Sequence, residues 1–392
     1  MTEQNLGIIT LLRSALKGEA LTLPEGFDWD KAMETISAHH LTGLAMQGAS
    51  LCGVPRSHPA LVKLTANFCK GLQASRNQMK KLQEILALFD ANGIHYMPIK
   101  GAILKGFYPK PEYRVMGDAD VLIRKEQYPQ IRQILAAQQM QEDVESDYEL
   151  VWVCPSLKLE LHTGLVPEFL GSHSEYYSDS WHFAQKDETG AGHHLSPEDH
   201  FVYLLVHFAK HYLNSTICAK DICDFHVWRK AHPHMDEAYM RQELKKLGLD
   251  KFYDSILALI GNWFEGQPAT EATELMTESV FWGGVSQEHN DAAVKGMMKR
   301  YSKNGDSMLI QKLKWFVNAL FPTYHRMTYH YPVLKKIPVL LPVFWVVHWF
   351  VALTKDKDRV RRGLVVMKLK EGGFNQYQEH LSAIGLETNQ GE

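Results

Sequence analysis

The sequence predicts an α+β protein, with a small mixed β-sheet core set between helical N-terminal and C-terminal subdomains. Three observations predict it. Apolar residues recur at helical spacing through the first ninety residues, and from 93 to about 185 short apolar runs of strand length alternate with helical ones. Then Ser196-Pro197-Glu198-Asp199 opens a second helical stretch with a good N-cap, a proline at the first helical position and an acid at the third. The chain divides accordingly into a helical region 1–92, an α/β core 93–192, a helical subdomain 193–320, and an apolar, Pro-containing segment with its tail, 321–392.

In order, helices are expected over Leu6 to Leu16, Trp29 to Leu51, and Leu61 to Asn92 with a break near Gly71. The last carries Met79, Leu82, Ile85, Leu86 and Phe89 on one stripe and stops at Asn92-Gly93. A buried strand 94–99 follows, then a helix 101–107, a strand 119–123, a helix 125–138, and strands 149–154 and 157–162. Gly164 to Gly192 reads as a long loop or β excursion. Helices are again expected from 196, over 219–228, and through most of 238–320.

The chemistry concentrates around Tyr113-Arg114-Val115-Met116-Gly117-Asp118-Ala119-Asp120. Residues i and i+2 of a strand share a face, so Asp118 and Asp120 lie together and repel unless a cation sits between them. Hard cations such as Mg²⁺ (or Mn²⁺) suit that pair. In Leu157-Lys158-Leu159-Glu160-Leu161-His162 the leucines face one way, and Lys158, Glu160 and His162 the other. Paired beside the Asp strand, Glu160 completes a set of three acids suited to two-metal phosphoryl or nucleotidyl transfer. Lys100-Gly101, closing the preceding strand, allows backbone to approach a ligand closely.

Lys100-Gly101, Tyr108-Pro109, Tyr113-Arg114-x-Met-Gly-Asp118-x-Asp120 and Glu160-Leu-His162 together resemble the uncharacterised bacterial nucleotidyltransferase family of the DNA polymerase β-like superfamily, over roughly residues 35 to 300. The resemblance implies a nucleotidyltransferase core. Gly101 would be its turn glycine, followed by Gly117 ahead of the metal pair Asp118 and Asp120, with Glu160 as the third carboxylate. Lys100, Lys105 or Arg114 would meet the phosphates of a nucleoside triphosphate. It further implies a basic residue followed four positions later by Asp, matched by Lys220 and Asp224. In a helix that spacing also makes a plain ion pair; the functional alternative gives Lys220 a phosphate or base contact and Asp224 an orienting role toward His207 or His211. His207 and His211 are themselves an i,i+4 pair, open to zinc binding, to lining the cleft, or to simple packing. His162 is an alternative proton acceptor to Glu160. Competing readings are a catalytically silent nucleotide-binding or membrane-associated scaffold, and a phosphotransferase.

Composition narrows the class. A formal net charge of −3 without a basic tract interleaved with aromatics gives no nucleic-acid signal, and the acceptor stays unidentified. Five cysteines without a C-x-x-C pair suit reduced thiols, hence a cytoplasmic setting. The run 337–353, flanked by Lys335-Lys336 and by Lys355, Lys357, Arg359, Arg361 and Arg362, admits three fates: a buried helix, a span, or a peripheral membrane contact.

Overall fold

The computed structural model describes residues 1–145, 149–166, 172–213, 217–283, 308–331, 333–354 and 379–386. Its contacts divide the chain into two compact units, Met1–Phe208 with Ile217–Val285, and Ala209–Thr216 with Ser286–Glu392.

The first unit opens with α1 (Glu3–Lys17), capped by the Thr2 hydroxyl, which accepts from the Asn5 amide at 3.1 Å, and closed by Gly18 in the left-handed region at φ 75°. The expected single helix Trp29 to Leu51 is two, α2 (Trp29–Ala38) and α3 (Thr42–Leu51). His40 between them stands at φ 57°, a conformation no right-handed helix can contain. Conversely, the break expected near Gly71 does not occur, and α4 runs unbroken over Pro59–Ala91. A glycine costs an exposed helix about 1 kcal/mol relative to alanine. That is too little to interrupt a long helix anchored at one end by Leu61 and Leu64 and at the other by Leu82, Ile85 and Phe89.

Next come β1 (Tyr96–Pro98), the single turn α5 (Gly101–Leu104) continued by a 3₁₀ turn Lys105–Phe107, β2 (Ala119–Ile123), α6 (Tyr128–Ala137), β3 (Gln141–Glu145), β4 (Glu149–Cys154) and β5 (Leu157–His162). They form a mixed sheet in the order β1-β2-β5-β4-β3, in which β2 and β5 run parallel and every other pair antiparallel. One face carries Ala119, Val121, Ile123, Leu157, Leu159 and Leu161, packed on Leu82, Ile85 and Phe89 of α4 and Ile131 and Leu135 of α6. The alternating residues of β2 and β5 therefore point to the opposite face, where the polar groups collect.

The excursion after Gly164 includes α7 (Ser172–Tyr176) and a two-stranded ribbon, β6 (Ala184–Lys186) with β7 (His193–Leu195); residues 167–171 lie outside the described residues. Ser196 caps α8 (Pro197–Leu213) as its sequence predicts, its hydroxyl accepting from the Asp199 amide at 3.0 Å. The unit is completed by α9 (Ala219–Ala231), α10 (Glu237–Lys246), α11 (Asp250–Ile260) and α12 (Glu271–Gly283). In the second unit the described helices include Met308–Leu320 and Leu341–Thr354, and no helix among the described residues is long and apolar enough to cross a membrane.

Candidate active site

Asp120 and Glu160 are register neighbours on the parallel strands β2 and β5, and His162, two residues beyond Glu160, shares their face. One ligand atom from each of the three lies within 4.8 Å of the others. The His162 Nε2 is 2.9 Å from Asp120 Oδ1, and the Lys100 ammonium donates to the same oxygen at 2.7 Å. With Asp120 ionised, that Nε2 carries the proton; ligating an ion through it would need the proton on Nδ1 instead. Asp118 sits one residue before β2 and does not enter this cluster: its side chain is 42% exposed against 7% for Asp120, and the nearest cation is Lys158 at 3.7 Å. The third member beside Asp120 and Glu160 is therefore the imidazole, with Asp118 at the rim.

The two central acids are tuned in opposite directions. Burial by itself would raise Asp120, yet the Lys100 ammonium and the His162 hydrogen bond hold it well below the usual carboxylate range. Glu160 is lifted to about 7 by burial, with Asp118, Glu149 and Asp120 adding repulsion, against the pull of the Lys158 hydrogen bond. Four carboxylates crowding one sheet face, one of them kept from ionising freely by its neighbours, is what a divalent cation would relieve. The donor set fits Mg²⁺ or Mn²⁺ through its carboxylate oxygens, imidazole being the softer member. Proton and ion then compete for Glu160. A Mg²⁺- or Mn²⁺-induced rise in melting temperature is expected to be full above about pH 8, with the affinity falling up to about tenfold for each pH unit below 7. Glu160→Gln should flatten that profile; a shift unchanged down to about pH 5 would place the ion elsewhere.

Lys100 takes φ 52° and ψ −125°, a region that favours glycine and costs a side-chain-bearing residue about 1–3 kcal/mol. It is held there from two sides: its carbonyl accepts from the Ile103 and Leu104 amides, and its ammonium from below grips Asp120. Gly101 fits its surroundings closely, since a Cβ there would lie 3.1 Å from Met116 Cγ and 3.2 Å from Arg114 Nη1. A Cβ on Gly117, by contrast, would meet nothing.

The Arg114 guanidinium is buried beside the Gly101 turn and paired within the protein: Nε and Nη2 donate to the two oxygens of Asp224 at 3.2 and 2.7 Å, and Nη1 to the Val115 carbonyl at 2.7 Å. Asp224 in turn accepts from the Tyr108 hydroxyl at 2.6 Å, so it serves Arg114 and Tyr108 rather than Lys220 or the α8 histidines. The contacts of Asp224 among the described residues tie α9 to Tyr108 and Arg114, and none reaches His207 or His211. Lys220, half-buried, makes no ion pair among the described residues. Lys105 is likewise structural: fully buried, it donates to the Arg114 carbonyl at 2.8 Å and the Ser75 hydroxyl at 3.0 Å, and burial lowers it to about 8.

His207 is half-buried, its ring 6.3 Å from that of Tyr203, and His211 falls in the second unit. The metal-competent group among the described residues contains neither. Tyr203, one helical turn before His207 on α8, is buried, and burial first and the Asp120 charge second raise its hydroxyl well above the ordinary value.

A protein-family profile described as uncharacterised nucleotidyltransferase matches residues 25–265. No curated protein and no solved structure matches the chain.

Proposed function

Since the chain belongs to the uncharacterised nucleotidyltransferase family, we propose that it moves an NMP from an NTP to an acceptor hydroxyl with Mg²⁺ or Mn²⁺ as cofactor. The acceptor oxygen bonds to the α-phosphorus while the bond to pyrophosphate breaks, and the hydroxyl proton passes to the protein. The observation that carries this reading is the pairing of Asp120 with Glu160 across parallel strands, with Glu160 lifted to about 7 among its neighbouring acids. Asp120, Glu160 and His162 would hold the ion, with Asp118 extending the acidic set toward solvent. The ion would neutralise the phosphate oxygens and activate the attacking one.

The chain's own groups supply the rest. Glu160 is matched to accept a proton near neutrality; where Glu160 is committed to the ion and His162 is not one of the ion's ligands, the imidazole takes that role through Nδ1, its Nε2 held on Asp120. Lys100 and Lys220 are the cations offered to the triphosphate, and Gly101 keeps the turn beside Lys100 narrow.

The direct test is transfer of labelled NMP with pyrophosphate release, measured across ATP, GTP, CTP and UTP with Mg²⁺ or Mn²⁺. Product carrying the label, and pyrophosphate in equal amount, is the expected result. ADP as product would mark a phosphotransferase instead. One observation favours a silent binding protein as the second reading: the Lys100 ammonium already occupies the Asp120 oxygen an ion would use. That reading predicts no turnover with any nucleotide and thermal shifts indifferent to Mg²⁺.

A further inference from the structure

The second unit carries an exposed apolar side. On the Met308–Leu320 helix, Leu309, Ile310, Leu313, Phe316 and Val317 are all exposed, Leu309 by 78%, while Trp315 is buried at 6%. Those positions step by three and four, so they form one stripe. The segment from Pro338 through the Leu341–Thr354 helix repeats the pattern with Val339, Val343, Val346, Val347 and Phe350, the first 80% and the last 68% exposed. The inner sides lock these elements together. Trp345 Nε1 donates to the Pro322 carbonyl at 2.9 Å and Trp349 Nε1 to the Leu320 carbonyl at 2.5 Å, with the Phe321 ring 5.2 and 5.5 Å from the two indoles. A hairpin that turns its tryptophans inward, Trp315 buried and Trp345 and Trp349 half-buried, and exposes two apolar stripes is the reverse of a water-facing arrangement.

Charge identifies what covers it. Residues 308–354 contain five Lys and Arg and no Asp or Glu, in a chain whose net charge is −3. A second copy of this chain, meeting the patch by twofold symmetry, would set those cations against themselves. The phosphates of an anionic bilayer complement them. The helix itself is too short to span: its 14 residues reach about 21 Å at 1.5 Å per residue, against roughly 30 Å of hydrocarbon. We propose that the Met308–Leu320 and Leu341–Thr354 helices dock in the plane of an anionic membrane surface, apolar stripes in the acyl boundary and lysines at the headgroups. This goes beyond the transfer reaction and stands or falls without it.

Flotation of the full-length protein with vesicles tests it. Binding is expected to phosphatidylcholine vesicles containing phosphatidylglycerol, to be at least about tenfold weaker on phosphatidylcholine alone, and to weaken with salt. Leu313→Glu with Phe350→Glu, both at exposed positions, should abolish flotation with the far-ultraviolet circular dichroism unchanged. Lys335→Glu with Lys336→Glu should lower the preference for anionic vesicles. Equal flotation of Leu313→Glu/Phe350→Glu and wild type, or no flotation on either vesicle, would overturn the proposal. So would a wild-type dimer in solution that the Leu313→Glu change converts to monomer, since a second copy would then own the face.

Discussion

Asp120→Asn is expected to cut nucleotidyl transfer on the order of a thousandfold or more, because it removes a carboxylate shared by the proposed ion, Lys100 and His162. The substitution also touches stability. The folded carboxyl lies below its unfolded value, so its ionisation stabilises the native state above the unfolded pKa of about 4 and that contribution is lost as pH falls through the folded pKa. At neutral pH, Asp120→Asn therefore forfeits it and sets a neutral amide against the Lys100 ammonium in place of a carboxylate. Activity loss alone would not separate chemistry from unfolding. Asp118→Asn does so, since its side chain is 42% exposed and its nearest cation is 3.7 Å away. That variant should lose activity with its melting temperature unmoved, whereas Asp120→Asn should lose both. A Asp120→Asn enzyme that retained wild-type turnover with either cation would remove the sheet face from the chemistry altogether.

Much of this arrangement could be read from residue order, and the failures have physical causes. The strict alternation of 157–162 and the i,i+2 spacing around Asp120 placed the polar face correctly, because side-chain direction in a strand follows from parity alone. The lateral pairing of β2 with β5 has no local signature, as β3 and β4 lie between them in the chain. Strand β3 went unseen because Gln141–Glu145 offers a single apolar residue, Val144, at the sheet's edge, where packing asks little of it. The helix over Trp29 to Leu51 failed at His40, whose left-handed backbone no propensity would assign to histidine. Long-range pairs were the largest gap. Lys100 with Asp120, and Arg114 with Asp224 across 110 positions, depend on which surfaces the fold presses together. A basic residue in such a motif invites a phosphate role by type, and its protein partners become visible only in the folded chain.

Those partners make Arg114 the residue whose loss should cost the fold most. Arg114 and Asp224 are both buried, and the pair ties the loop that delivers Asp118 to helix α9, with Tyr108 donating to the same carboxylate. Burial works against the guanidinium, but the Asp224 charge more than compensates and drives it further above its ordinary value. Arg114→Met leaves the buried Asp224 carboxyl without its guanidinium partner, and breaking a buried pair from one side costs about 3–5 kcal/mol. In urea, the unfolding midpoint should fall accordingly. Asp224→Leu should cost a similar amount by stranding the guanidinium. Arg114→Met/Asp224→Leu leaves neither charge behind, so it should be more stable than the sum of the single losses implies, with a coupling on the order of 2–3 kcal/mol. Strict additivity would mean the two side chains act independently and that Arg114 is free for another task. The coupled result has a consequence at the site: with no contact to substrate, the double variant should lower kcat through a displaced Asp118 while leaving the metal-induced thermal shift of Asp120 and Glu160 in place. That separation would identify Arg114 as the support of the loop and not as a ligand of the triphosphate.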